Sequence, residues 1–192
     1  MSLKHVFLLL VLSLLVFSRS ALGSIDVSVP GIVVGIKQPK SMDCWAASAT
    51  IMRSWKDNAS YPLKTVVDAL GADYRKLFDT NSGLPVNKFK DFVTKLNAKS
   101  APLACYTVDA IAKMLKDHGP LLVIHNPTGD PNVAMLHAMV VSKMKGDGTL
   151  DGTMVTYVDP ADGKEHKESC RVFLTKYESA AAEDVQIQII HY

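Results

Sequence analysis

The sequence predicts an α+β fold in one domain, a helical half followed by an antiparallel sheet with a groove between them. Two observations carry this expectation. Apolar residues recur at steps of three and four before Pro120, and short apolar runs separated by turn chemistry follow it. A third observation concerns organisation: no repeat, long linker or low-complexity tract divides the chain, so 24–192 reads as a single domain.

Residues 1–23 stand apart from that domain. Val6–Phe17 is an apolar run broken only by Ser13 and preceded by Lys4. A membrane-spanning helix needs about 20 apolar residues, so the run is too short to span. Ala21 and Gly23 put small residues at the −3 and −1 positions of a cleavage site before Ser24. This is the pattern of a secretory signal peptide. The expected product is a secreted chain, extracellular or periplasmic, with no stable membrane anchor once the signal is removed.

Charge agrees with a soluble product. The chain has 21 Lys plus Arg against 19 Asp plus Glu, and residues 1–23 hold Lys4 and Arg19 with no acid. The remainder is neutral, which leaves no electrostatic footprint for nucleic acid. No nucleic-acid partner is expected.

Ile25–Ile36 alternates loosely around Pro30 and Gly31 and reads as one or two short strands; Lys37–Met42 is a polar loop. From Asp43 to about Lys56, Cys44, Ala47, Ile51, Met52 and Trp55 mark an amphipathic helix capped by Ser41 or Asp43. Cys44 then falls in its first turn. Pro62–Leu70 reads as a second helix ended by Gly71, Val86–Asn97 as a third, and Tyr106–His118 as a fourth stopped by Gly119-Pro120. Five strand-like runs follow: Leu121–His125, Ala134–Met144, Met154–Asp159, Arg171–Thr175 and Val185–His191. Between them lie turns such as Pro127–Pro131, Gly146–Gly148 and Asp159–Gly163.

Export makes the three cysteines informative, since two tend to pair in an oxidising compartment and the third must be explained. Three single bridges are possible. Cys105 and Cys170 both lie in segments that read as strand or strand edge, and joining them leaves Cys44 free. Such a bridge would close about 65 residues and add about 4 kcal/mol in the chain-entropy account. Asn58-Ala59-Ser60 fits a glycosylation acceptor, a pattern that also arises by chance. The thiols and histidines lack metal-ligand spacing, so neither metal nor cofactor is expected.

Four residues suggest chemistry together that none suggests alone. Cys44 at a helix N-terminus sits where the macrodipole favours thiolate. His137 opens the apolar run His137–Val141, and Asp159 ends Met154–Asp159 just before Pro160. Gln38, six residues before Cys44, carries an amide able to donate to an oxyanion. Singly these read as a buried thiol, a core histidine, a turn-starting aspartate and a loop amide. As a set they supply nucleophile, base, orienting group and oxyanion donor. The other histidines read more plainly: His118 at a helix end, His125 at a strand end, His166 and His191 solvated.

At these residues the chain resembles papain-like cysteine peptidases. Gln38, then Cys44-Trp45-Ala46-Ala47-Ser48 with Met52 and Trp55, is similar to their active-site helix. The later order is similar too: Gly119-Pro120 before a strand, Leu136-His137-Ala138-Met139, then Tyr157-Val158-Asp159-Pro160. The resemblance spans roughly Ile36–Gly163 and is closest to the short bacterial-type branch of bacteriocin-leader peptidase domains and papain-like effector proteases. It implies Cys44 as nucleophile, His137 as base and then acid, and Asp159 as the orienting residue where papain itself has asparagine. Gln38 would complete the oxyanion hole. The chain is short for the class and lacks the Cys-Gly-Ser-Cys-Trp context of lysosomal-type relatives.

The resulting expectation is a secreted thiol hydrolase that cleaves a protein or peptide substrate through an acyl-thioester. Two other readings stand beside it: an amidase of cell-wall peptides using the same triad, and a non-catalytic binding or inhibitory module of papain-like fold.

Overall fold

A computed structural model of the protein describes residues 23–192; the expected signal peptide, apart from Gly23, lies outside the described residues. Their order is β1 (Ile25–Ser28), α1 (Cys44–Lys56), α2 (Leu63–Leu70), α3 (Ala72–Asp79), a 3₁₀ turn (Val86–Lys88), α4 (Phe89–Lys95), β2 (Lys99–Ser100) and α5 (Val108–His118). β3 (Leu121–His125), β4 (His137–Gly146), β5 (Thr153–Asp159), β6 (Lys164–Ser169), α6 (Cys170–Ser179), a second 3₁₀ turn (Ala180–Glu183) and β7 (Ile189–His191) complete it. The fold is α+β, as the sequence predicts.

The sheet runs β2-β7-β3-β4-β5-β6, with every pairing antiparallel. β3 and β1 lie end to end along one edge of β4: β3 pairs with His137–Val141 and β1 with Lys143–Gly146. Between those stretches Ser142 is an extra residue, because Val141 opposes Tyr157 while Lys143 already opposes Thr156. The bulge restores the face that the period-2 pleat would otherwise reverse, so Val141 and Met144 enter the same core.

The sequence predicts helices against one face of the sheet; the structure covers both. Leu122, Ile124, Ala138 and Val140 face one core with Trp45, Met52, Val67 and Phe92 from α1, α2 and α4. Their neighbours Leu121, Val123, Met139 and Val141 face the other, against Ile111 and Leu115 of α5 and Phe173 and Tyr177 of α6. Adjacent strand residues point to opposite faces, so these continuous apolar runs fill two cores at once. Each such side chain contributes roughly 1.5–3 kcal/mol on burial. α1 is the central helix, with every residue from Trp45 to Met52 buried, including Ser48 and Thr50.

Several segments differ from the sequence expectation. Arg171–Thr175 is not a strand but part of α6, whose Ser169 side chain accepts the Val172 N–H. Cys170, Phe173, Leu174 and Tyr177 recur at helical spacing and share the buried face. Lys164–Lys167, where the sequence reading had a solvated His166, is the core of edge strand β6, held by backbone pairing to β5 without an apolar side-chain pattern. α3 follows directly on Gly71 and was not predicted. Of Val185–His191 only the last three residues pair as a strand.

The expected Cys105–Cys170 bridge is corrected. All three cysteines are free thiols. Cys170 is fully buried at the first turn of α6 in the second core, whereas Cys105 is exposed in the loop before α5. A disulfide requires both sulfurs in one place. The error came from treating Cys170 as a strand residue.

Candidate active site

α1 begins at Cys44 because a tight turn delivers it there: the Asp43 N–H donates to the Lys40 carbonyl at 3.2 Å and the Ala47 N–H to the Asp43 carbonyl at 3.0 Å. The first amides of a helix have no intrahelical acceptor, so the Cys44 thiol and N–H sit at its positive end. Trp45 anchors this end from below. Its ring meets Tyr74 and Phe92, each at 6.0 Å, and its indole N–H reaches the Ser82 carbonyl. Cys44 stays partly exposed while the residues after it are sealed in.

His137 is the first residue of β4 and Asp159 the last of β5. Val140 opposes Val158, so one further antiparallel step sets Asp159 beside Met139, two residues from His137 and on the same side of the pleat. His137 Nε2 meets Asp159 Oδ1 at 2.7 Å, which leaves Nδ1 as the nitrogen open to Cys44, whose thiol lies close enough to act on the ring. Burial alone would lower the His137 pKa, but hydrogen bonds to Asp159 and Cys44 and their negative charge outweigh it and hold it at about 9. Burial pushes Asp159 the other way, yet its bonds to His137 and the Ala161 N–H keep its carboxyl below the ordinary value. The arrangement can therefore hold an imidazolium beside the Cys44 sulfur while the carboxylate stays ionised.

Gln38 is brought beside the Asp159 turn by a close crossing of two chain segments. Its N–H donates to the Pro160 carbonyl at 2.7 Å, tying its loop to the Asp159 turn. A Cβ on Gly35 would lie 2.1 Å from the Gly163 carbonyl oxygen, and one on Gly163 (φ +73°) 2.7 Å from the Lys37 nitrogen. Only glycines allow that approach. The Gln38 amide nitrogen donates to the Lys40 and Ser41 carbonyls at 2.9 and 2.8 Å, while its oxygen is buried without a partner. Exchanging the two ends would set acceptor against acceptor. Both amide hydrogens are thus engaged by the loop that leads into Cys44.

A cavity of about 290 Å³ opens beside Cys44 and His137. Its walls are mainly apolar: Met42, Leu84, Phe89, Met135 and Leu136, with Gly83 pressed close to Met42. These residues come from separate stretches around 41–45, 83–89 and 134–138, and no local motif announced them. Asp43, next to Cys44, is a further residue the sequence reading passed over except as a cap. It is fully buried, its carboxylate oxygens have no hydrogen-bond partner, and burial raises its pKa against the pull of Lys40. Among the described residues no group of three or more His, Cys, Asp or Glu side chains is placed to hold a metal ion. Nor is any described helix long and apolar enough to cross a membrane.

A central helix that begins with a thiol, facing an imidazole and a carboxylate on adjacent strands of an antiparallel sheet, defines the papain-like class. Residues 24–178 match the family described as papain-like cysteine protease AvrRpt2, and the chain belongs to that family. It is a cysteine-type peptidase, a hydrolase whose substrates are proteins or peptides. No individual curated protein matches the chain.

Proposed function

We propose that the protein is an exported thiol peptidase in which Cys44 is the nucleophile, His137 the general base and then acid, and Asp159 the residue that orients His137. The observation that carries this reading is the 2.7 Å contact of the His137 ring with Asp159, on a ring that also feels the Cys44 thiol at the start of α1. Export rests on the N-terminal pattern, and the family match opening at residue 24, just past the expected cleavage point, fits it.

The chemistry follows from those positions. His137 holds the thiol proton, and the Cys44 sulfur attacks the scissile carbonyl carbon. The carbonyl π electrons move to oxygen, facing the Cys44 N–H. Gln38 joins as a second donor by releasing one of its loop carbonyls. His137 then gives its proton to the leaving nitrogen, the C–N bond breaks, and an acyl-thioester remains on Cys44. Water attacks that thioester while His137 takes its proton, the C–S bond breaks, and the thiol–imidazole pair is restored.

The apolar cavity suits a bulky apolar side chain of a peptide near the cleaved bond, which favours an unfolded protein segment over the polar peptides of a cell wall. Replacing Cys44 with Ala should abolish turnover of a protein substrate and leave the melting temperature nearly unchanged. Full activity in Cys44→Ala would end this mechanism.

A further inference from the structure

His125 closes β3 directly opposite His137 of β4. The two rings meet nearly perpendicular, 76° between planes and 5.4 Å between centroids. His125 is only 3% exposed, and its Nδ1 is buried without a hydrogen-bond partner among the described residues. A phenyl ring would fill the same space without that orphaned atom, whose burial is a cost to the fold. His137 Nε2 is bonded to Asp159, and among the described residues no hydrogen bond joins the two histidines. His125 can therefore act on it only through ring contact.

The chain next to the ring is firmly held. The next residue, Asn126, donates its backbone N–H to the Lys176 carbonyl at 2.9 Å. Its side chain donates to the carbonyls of Asp130 and Val133 and accepts from Thr128. The loop from Asn126 to Val133 is thereby fastened just before the cavity wall and His137.

We infer that His125 is a positioning residue for the thiol–imidazole pair, its ring acting as a fixed aromatic wall that holds His137 in the plane joining Asp159 to Cys44. This rests on the proposed triad. One hydrogen bond to Asp159 leaves the imidazole free to swing about the Nε2 axis, and a packed ring at its side removes that freedom. Burial keeps His125 uncharged, its pKa pushed down to about 3 with the charges of His137 and Lys176 adding to the effect and Asp159 opposing it. The charged and titratable groups around the pair are Cys44 from α1, Asp159 from β5, His125 from β3 and Lys176 from α6.

The test measures two things on wild type, His125→Ala, His125→Phe and Leu115→Ala. One is the alkylation rate of Cys44 by iodoacetamide near neutral pH, and the other the imidazole NMR titration of His137. His125→Ala should slow alkylation about tenfold, the scale of a small misplacement of reacting groups, and shift the His137 titration. His125→Phe should restore both. Leu115→Ala opens a cavity in the second core and should lower the melting temperature while leaving both readouts unchanged. Unchanged readouts in His125→Ala, a Phe variant as impaired as the Ala variant, or an equal effect from Leu115→Ala would each overturn the inference. An inert wild-type Cys44 would defeat the proposed peptidase mechanism instead, and the His137 titrations would still decide the role of His125.

Discussion

His137 and Asp159 stand 22 residues apart in the chain and 2.7 Å apart in the fold. The contact joins the start of one strand to the end of its neighbour, and Asp159 spends the same oxygen on the Ala161 N–H at 2.8 Å. The turn that follows Asp159 therefore aims the carboxylate, and the carboxylate aims the imidazole.

This pair sets a pH dependence. His137 is raised from 6.5 unfolded to about 9 folded, so the stability it contributes is full below 6.5 and is lost as pH rises through about 9. Asp159 is lowered, so its contribution is present above its unfolded value of 3.8 and is lost as pH falls through the folded one. The alkaline limb of kcat/KM should fall near pH 9, where His137 loses its proton. In Asp159→Asn that limb should move down by about 1–2 units and kcat/KM should drop about 10²-fold, read from pH–rate profiles.

Gly163 controls the crossing that ties the Gln38 loop to the Asp159 turn. Gly163→Ala combines a left-handed φ with a Cβ 2.7 Å from the Lys37 nitrogen. The expected loss is about 1–3 kcal/mol in urea unfolding, with a fall in kcat because Gln38 and Asp159 move together. A variant with full stability and full kcat would show that the crossing does not position the site.

The cysteines should be countable one by one. Cys105 is exposed, Cys44 partly so, and Cys170 is buried with its thiol pushed up to about 11 by burial. Alkylation of the native protein followed by mass spectrometry should label Cys44 and Cys105, with Cys170 labelled only after unfolding. A species two mass units light, unlabelled at Cys105 and Cys170 without reductant, would restore the bridge.

Gly83 lines the cavity beside Met42, and a Cβ added there would lie 2.9 Å from the methionine methyl. Its φ needs no glycine, so Gly83→Val should fold normally and reduce the cavity. KM for substrates with a bulky apolar side chain should rise about tenfold, the scale of one or two methylenes in an apolar pocket, with kcat little changed. Equal KM for large and small substrates would show that the cavity does not select them.

Much of the fold was legible because local patterns fixed it. The three- and four-spaced apolar positions of α1, the Gly119-Pro120 stop and the turn residues at Asp159–Gly163 each act within a few residues. The elements misread were those whose identity depends on distant partners. β6 is a strand because β5 offers it an edge, and α6 is a helix because Ser169 caps it and the sheet accepts its buried face.

By itself the sequence determined a thiol at a helix start, an imidazole at one strand's beginning and a carboxylate at another's end, along with the family those residues belong to. Only the tertiary structure decided that register brings His137 to Asp159, that Cys105 and Cys170 stay apart, that the His125 ring meets the imidazole, and that residues from several separated segments line an apolar cavity. Motifs arise from short-range chemistry, whereas register, cavities and ring contacts arise from how two cores pack against one sheet.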